Sequence, residues 1–196
     1  MEQKTRLEKQ MNFLMEMDKS KNIMRQTYLA NGERKENDAE HSWHLAIMCL
    51  LLGEYANENI DLLKTVTMVL FHDVIEIDAG DTYAYDTKGN ETKAERENIA
   101  AKRLYSMLPE DQGAKLAALW EEFEKGETPE AKFARTLDRV QPLALNNASG
   151  GRSWKEHKIT KEQVYQRNQK THLGSEVLWE YAKALIERNA EEGKLL

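Results

Sequence analysis

The sequence predicts an all-α fold: one domain of seven to nine helices, with little or no strand. Three observations carry this. Only 3 Pro and 10 Gly occur in 196 residues, too few for the many tight turns of a sandwich. Hydrophobic residues make up 40% and charged ones 32%, which supplies each helix with a core face and a solvated face. Apolar positions recur at three- and four-residue spacing, with helix-start signals between the runs.

Taken in order, Leu7, Met11, Leu14 and Met15 share one face of a helix over residues 4–17. Residues 24–37 are dense in charge and contain Asn31-Gly32, which predicts a loop. Asp38 is placed to cap a helix running from 39 to about 57. The next helix is predicted over about 61–77, with Leu62, Val66, Val69 and Leu70 on one side, and Ala79-Gly80-Asp81 ends it. Residues 86–90 read as a polar, flexible connection, and 91–107 as a helix whose outer face is solvated. Pro109 suits the first turn of a helix that Gly126 ends. Thr128-Pro129 pairs an N-cap with a proline at the first helical position, opening a helix that carries Phe133, Leu137, Val140 and Leu145. Residues 146–158, with Gly150-Gly151, read as a loop, and Thr160-x-x-Gln163 as the capping box of a last helix over about 160–189. No repeat or linker divides the chain, so 1–196 is expected to be a single domain.

Charge and cysteine content narrow the function classes. A net charge of −6 argues against nucleic-acid or anionic-membrane partners, which require a basic face. The single cysteine, Cys49 in AIMCLLL, can form no intrachain disulfide and reads as a small core residue in a reducing compartment. MEQKTRLEKQMNFL lacks the apolar centre of a signal peptide, and no run is long enough to span a bilayer. A cytoplasmic protein is expected.

The chemistry begins at LFHDVIEIDAGD, residues 70–81, where five ionisable side chains follow an apolar run. Buried carboxylates there cost several kcal/mol each, on the order expected for uncompensated charge, unless they are paired or bind a metal. His41 stands in the first turn of one predicted helix, His72 and Asp73 are adjacent on a second, and Asp138, in TLDRVQP, is on a third. Three packed helices could bring these two imidazoles and two carboxylates to one ion. The set has no thiolate, so it suits Mn, Co, Fe, Ni, Zn or Mg, and two carboxylates offset the charge of a divalent cation. Taken singly, the residues have blander readings. His41 could cap a helix or bond within the core, and Asp138 could pair with Arg135 or Arg139. Trp43 and Trp120 read as packing residues, His44 as a partly buried hydrogen-bonder, and His157 as exposed.

In the order His41, His72-Asp73, Asp138, the chain resembles the HD-domain metal-dependent phosphohydrolase family. ENDAEHSWH, LFHDVIEIDAGD and LDRVQPL resemble its branch of 5′-deoxynucleotidases over about residues 24–147. The resemblance implies a helical HD domain in which His41, His72, Asp73 and Asp138 hold one divalent metal, and a homodimer. It implies that Glu76, one turn after Asp73, orients or deprotonates the attacking water, and that Asp81 acts near the scissile phosphate or the sugar. It places Arg25 as a phosphate grip. Where bacterial relatives carry a Trp beside that Arg, this chain has Gln26, which leaves the deoxy-over-ribo choice open. The implied reaction is metal-dependent hydrolysis of a nucleoside 5′-monophosphate, a small-molecule substrate. Within the family, a dNTP, an alarmone, a cyclic dinucleotide or an oxidised phosphonate remain open, as does a non-catalytic metal- and nucleotide-binding module. The two-iron oxygenase branch needs further His ligands, and none occurs between residues 73 and 138.

Overall fold

A computed structural model describes residues 4–196. Among the described residues, eight helices run for eight residues or more: α1 (Arg6–Met17), α2 (Asp38–Leu52), α3 (Leu62–Phe71), α6 (Lys93–Tyr105), α7 (Glu110–Lys125), α8 (Pro129–Ala148), α10 (Lys161–Asn168) and α11 (Glu176–Glu191). Three shorter pieces, α4 (Glu76–Ala79), α5 (Thr87–Glu91) and α9 (Arg152–His157), complete the α-helices among the described residues, and three short 3-10 segments join them. The caps anticipated from sequence form. Thr128 and Thr160 accept bonds from third-position amides, Gly126 ends α7 in the left-handed conformation, and Thr5 caps α1 without having been anticipated.

The departures have local causes. The predicted loop over 24–37 is instead an antiparallel ribbon, β1 (Met24–Tyr28) against β2 (Lys35–Asn37). Asn31-Gly32 forms its turn, with Gly32 at φ +72°. Asn37, not Asp38, caps α2: its side chain accepts from the Glu40 amide while Glu40 reaches back to the Asn37 amide. Asp38 is thereby turned inward and buried. The helix predicted over 61–77 is interrupted after Phe71. Contacts one residue shorter than an α-turn, Val74 N to the Phe71 carbonyl and Glu76 N to the Asp73 carbonyl, tighten it before α4 resumes.

Asp86 caps α5 where a flexible connection was predicted, and α9 occupies part of the predicted loop over 146–158. The last helix is split in two. Gly174 passes so close to the Lys132 carbonyl of α8 that a Cβ would collide, and Ser175 then caps α11. Two packing expectations also change: Trp43 is 64% exposed, whereas Trp120 is buried as expected, and the Leu7, Met11, Leu14, Met15 face of α1 points outward while Phe13 packs inside.

Helices α2, α3 and α8 pack on one another and share one core, including Leu45, Cys49, Met68, Val69, Phe133 and Leu137. A second core under α6 and α7 gathers Phe13, Ile75, Leu104 and Trp120. A third joins the end of α8 to α9, α10 and α11 through Leu143, Trp154, Trp179 and Ile186. The first core matters for the site, because its three helices are those that carry the predicted ligands.

Candidate metal centre and active site

His41 enters from the first turn of α2, His72 and Asp73 from the tightened segment after α3, and Asp138 from the middle of α8. His41 Nε2 is 3.3 Å from Asp138 Oδ1 and 3.7 Å from Asp73 Oδ2; His72 Nε2 is 3.0 Å from Asp73 Oδ2 and 3.8 Å from Asp138 Oδ1. Atoms bound at about 2.1 Å to one ion stand roughly 3.0–3.4 Å from one another, so the two shorter separations, 3.0 and 3.3 Å, match a shared cation. His72 Nε2 is buried and makes no aligned hydrogen bond, as expected of a lone pair reserved for a metal.

Hydrogen bonds behind the imidazoles set which nitrogen faces inward. His72 Nδ1–H donates to the Val69 carbonyl at 2.9 Å, leaving Nε2 for the cluster. For His41 the chain is longer. Gln141 Nε2 donates to Glu36 Oε1 at 2.6 Å, which fixes the amide orientation. Gln141 Oε1 then accepts from His41 Nδ1–H at 3.0 Å, and His41 Nε2 is left to face Asp138 Oδ1, 3.3 Å away. Glu36 and Gln141 were missed as site residues in the sequence. Gln141 follows Asp138 by three positions and so shares its helix face, a signal that was available. Glu36 faces inward only because β2 exists.

The electrostatics are those of a site short of positive charge. Burial disfavours an ionised His72, yet Asp73 and Asp138 outweigh it and raise its pKa to about 10. Burial also opposes ionisation of Asp73, but His72 and Arg25 hold its carboxyl below the usual range. For Asp138 the two imidazoles overcome burial in the same direction. Burial, reinforced by Asp73, pushes Glu76 well above the usual carboxylate range and lifts Asp38 to about 7, each against the pull of Arg25. One Glu76 oxygen and both Asp38 oxygens are buried without a hydrogen-bond partner. Orphaned carboxylate oxygens in the same cluster as the unpartnered His72 Nε2 fit a divalent cation.

The cluster opens into a cleft of about 180 Å³ whose walls include Arg25, Gln26, Glu76, Asp81, Lys93 and Asp138. All eight residues singled out from the sequence are thus at or beside one another, although His41 lies behind the cleft wall. Arg25, on β1, does not reach into open space. Its Nη1 is 2.7 Å from Asp73 Oδ2 and 3.5 Å from Asp38 Oδ1, so it clamps the ligand carboxylate. Gln26 accepts from Lys35 Nζ at 2.5 Å and is 3.3 Å from His157 Nε2. Asp81 follows Gly80, whose φ of +74° turns the chain back toward the cleft. Neither Arg135 nor Arg139 forms an ion pair with Asp138; Arg167 of α10 approaches it, at 3.5 Å.

Comparison with known proteins agrees with this geometry. Over 113 residues the chain is 34% identical to the 5′-deoxynucleotidase HDDC2 of Bos taurus, covering 58% of this chain and 54% of that protein. To the Homo sapiens protein of the same name it is 32% identical over the same coverage. The chain spans about half the length of these relatives. A protein of Magnetospirillum magnetotacticum MS-1, whose crystal structure is described as that of a predicted metal-dependent phosphohydrolase, superposes with a TM-score of 0.93. It is 47% identical, over 97% of this chain and 95% of that one. A family model described as HD domain matches residues 17–179, and the chain belongs to the HD domain family.

Proposed function

We propose that this chain is a metal-dependent phosphohydrolase that converts nucleoside 5′-monophosphates to nucleoside and phosphate. The observation that carries this is that His41 and His72 each come within 4 Å of both Asp73 and Asp138, at a cleft that also holds Glu76, Asp81 and Arg25. The names of the similar proteins, 5′-deoxynucleotidase and metal-dependent phosphohydrolase, support the same reading.

These four side chains hold one divalent ion, and their mixed nitrogen and oxygen donors accept Co, Mn, Mg, Zn, Ni or Fe. Such an ion supplies Lewis acidity to a phosphoryl oxygen and makes a water more acidic. The protein does the rest. Glu76, more basic than an ordinary carboxylate because it is buried beside Asp73, accepts the proton of the attacking water. Arg25 steadies Asp73, whose carboxylate it holds at 2.7 Å. Asp81 orients the sugar or the leaving oxygen, and Gln26 faces the sugar side.

A phosphate-release screen tests the proposal. Metal-stripped protein is given each ion separately and offered 5′-dNMPs, NMPs, 3′-monophosphates and dNTPs. Release from 5′-monophosphates that depends on metal is the expected result; its absence with metal bound would remove the nucleotidase reading.

A homodimer belongs to the same proposal. Trp43, Leu50 and Leu51 on α2, and Leu63 and Leu70 on the adjacent α3, are 41–77% exposed. Burying one such side chain is worth about 2 kcal/mol. Light scattering after size exclusion is expected to give twice the chain mass, and Leu51→Glu to shift it toward monomer. A monomeric wild type would discard the dimer.

A further inference from the structure

The cleft has an end that the metal chemistry leaves unused. Along α8, Asp138, Pro142 and Asn146 recur every four residues and all line the cleft, so they share one face of that helix. Eight residues of helix rise about 12 Å, which is how far Asn146 stands from Asp138 along the axis. Asn168 of α10 lines the same cleft. Each asparagine follows by one turn an apolar residue of a single cluster: Asn146 follows Leu143, Asn168 follows Val164, and both apolar residues pack with Trp154. Tyr83 and Tyr85 lie against that cluster, their rings 5.2 Å apart and edge to face. This end is therefore aromatic and apolar, with two carboxamides set in it.

The carboxamides have a fixed orientation. Asn146 Nδ2 donates to the Pro142 carbonyl at 2.9 Å, and Asn168 Nδ2 to the Val164 carbonyl at 2.8 Å. Only the amino side of a carboxamide can donate, so each bond settles which atom is the oxygen. The two Oδ1 atoms are left over. Asn146 is 5% exposed and Asn168 3%, and among the described residues neither oxygen has a hydrogen-bond partner. A buried acceptor without a donor is costly, so two of them lining one cleft point to a ligand that brings donors.

We propose that Asn146 and Asn168 form a base-reading subsite that selects 5′-monophosphates of amino bases, adenine and cytosine, over their keto counterparts, hypoxanthine and uracil. The exocyclic amine of adenine or cytosine presents two N–H donors, whereas a keto oxygen in its place is a further acceptor set against two. Tyr83, Tyr85 and Trp154 supply aromatic faces for the ring. The separation of about 12 Å along α8 is of the order of a 5′-nucleotide's length from phosphate to the outer edge of the base. The reaction is unchanged: water attacks phosphorus, the bond from phosphorus to O5′ breaks, and O5′ takes up a proton and leaves as the nucleoside hydroxyl. This inference rests on the nucleotidase reading for the position of the phosphate and deepens it by naming the base.

The test is equilibrium binding to the metal-loaded protein of four 5′-phosphonate analogues, which lack the scissile bond: those of deoxyadenosine and deoxyinosine, and of deoxycytidine and deoxyuridine. In at least one pair the amino member is expected to bind about tenfold more tightly, the worth of a buried acceptor regaining its donor. That ratio is expected to fall to about twofold or less in Asn146→Leu and in Asn168→Leu, which keep the volume and remove the acceptor. The two positions are on different helices, so either variant serves if the other does not fold. Ratios near one in both pairs, binding by none of the four probes, or a ratio that survives both substitutions would overturn the subsite. A merely structural role would weaken all four probes alike and leave the ratio intact. Because the ratio needs no turnover, failure of the phosphate-release screen with the ratio present would count against the hydrolase reading alone.

Discussion

Glu76→Gln is expected to lower kcat by about 10²–10⁴-fold, the usual loss when a general base is removed, while metal content stays at the wild-type level. The reasoning runs from geometry. Glu76 follows Asp73 by three residues across a tightened turn, so the two side chains stack on one face and reach the same cavity. One Glu76 oxygen is buried with no partner, and burial beside Asp73 makes the group hard to ionise. Glutamine keeps the shape and removes that desolvation cost, so the variant folds at least as well as the wild type. Phosphate release and metal analysis on the same sample check the result. A variant that loses its metal would reassign Glu76 as a ligand, and one with unchanged kcat would remove it from the chemistry.

The second large effect concerns the metal itself. Adding a divalent ion at about 1,000 times its dissociation constant is expected to stabilise the wild-type protein by about 4 kcal/mol. For a chain of this size that corresponds to a rise in Tm of roughly 10 °C. Asp73→Ala is expected to abolish both the binding and the shift. It deletes the carboxylate that stands 3.0 Å from His72 Nε2 and strips Arg25 of its shortest ion pair.

The affinity also carries a pH signature. Without metal, His72 has its pKa raised to about 10, so at neutral pH it holds a proton that the cation must displace. Proton and metal compete for one nitrogen. Affinity therefore rises with pH through the neutral range, by about tenfold per unit for each proton released. Calorimetry in buffers of different ionisation enthalpy counts those protons. A pH-independent affinity would mean that the imidazoles are already neutral before the ion arrives.

Arg25 looked from sequence like a free phosphate grip, yet it is held among Asp73, Asp38 and Glu36. It is therefore placed to fix those carboxylates, and the less encumbered guanidinium groups of Arg135, Arg139 and Arg167 also line the cleft. Arg167 comes from a part of the chain in which the sequence showed only a capped helix.

What the sequence determined by itself was local. Helix caps depend on side chains within four residues of the amide they satisfy, so Thr128 and Thr160 could be placed in advance. The donor types at His41, His72, Asp73 and Asp138, the candidate ligands, were equally legible, because donor chemistry is a property of the side chain. The tertiary structure decided what depends on distant neighbours. Pairing of β1 with β2 turned a charged loop into a ribbon and faced Glu36 inward; the close pass of Gly174 over α8 split the last helix. The Glu36–Gln141–His41 chain joins residues about a hundred positions apart, and no local pattern encodes its alignment. The same holds for Asn146 and Asn168. That each Oδ1 lacks a partner is a statement about everything packed around it, and only the folded chain can make it.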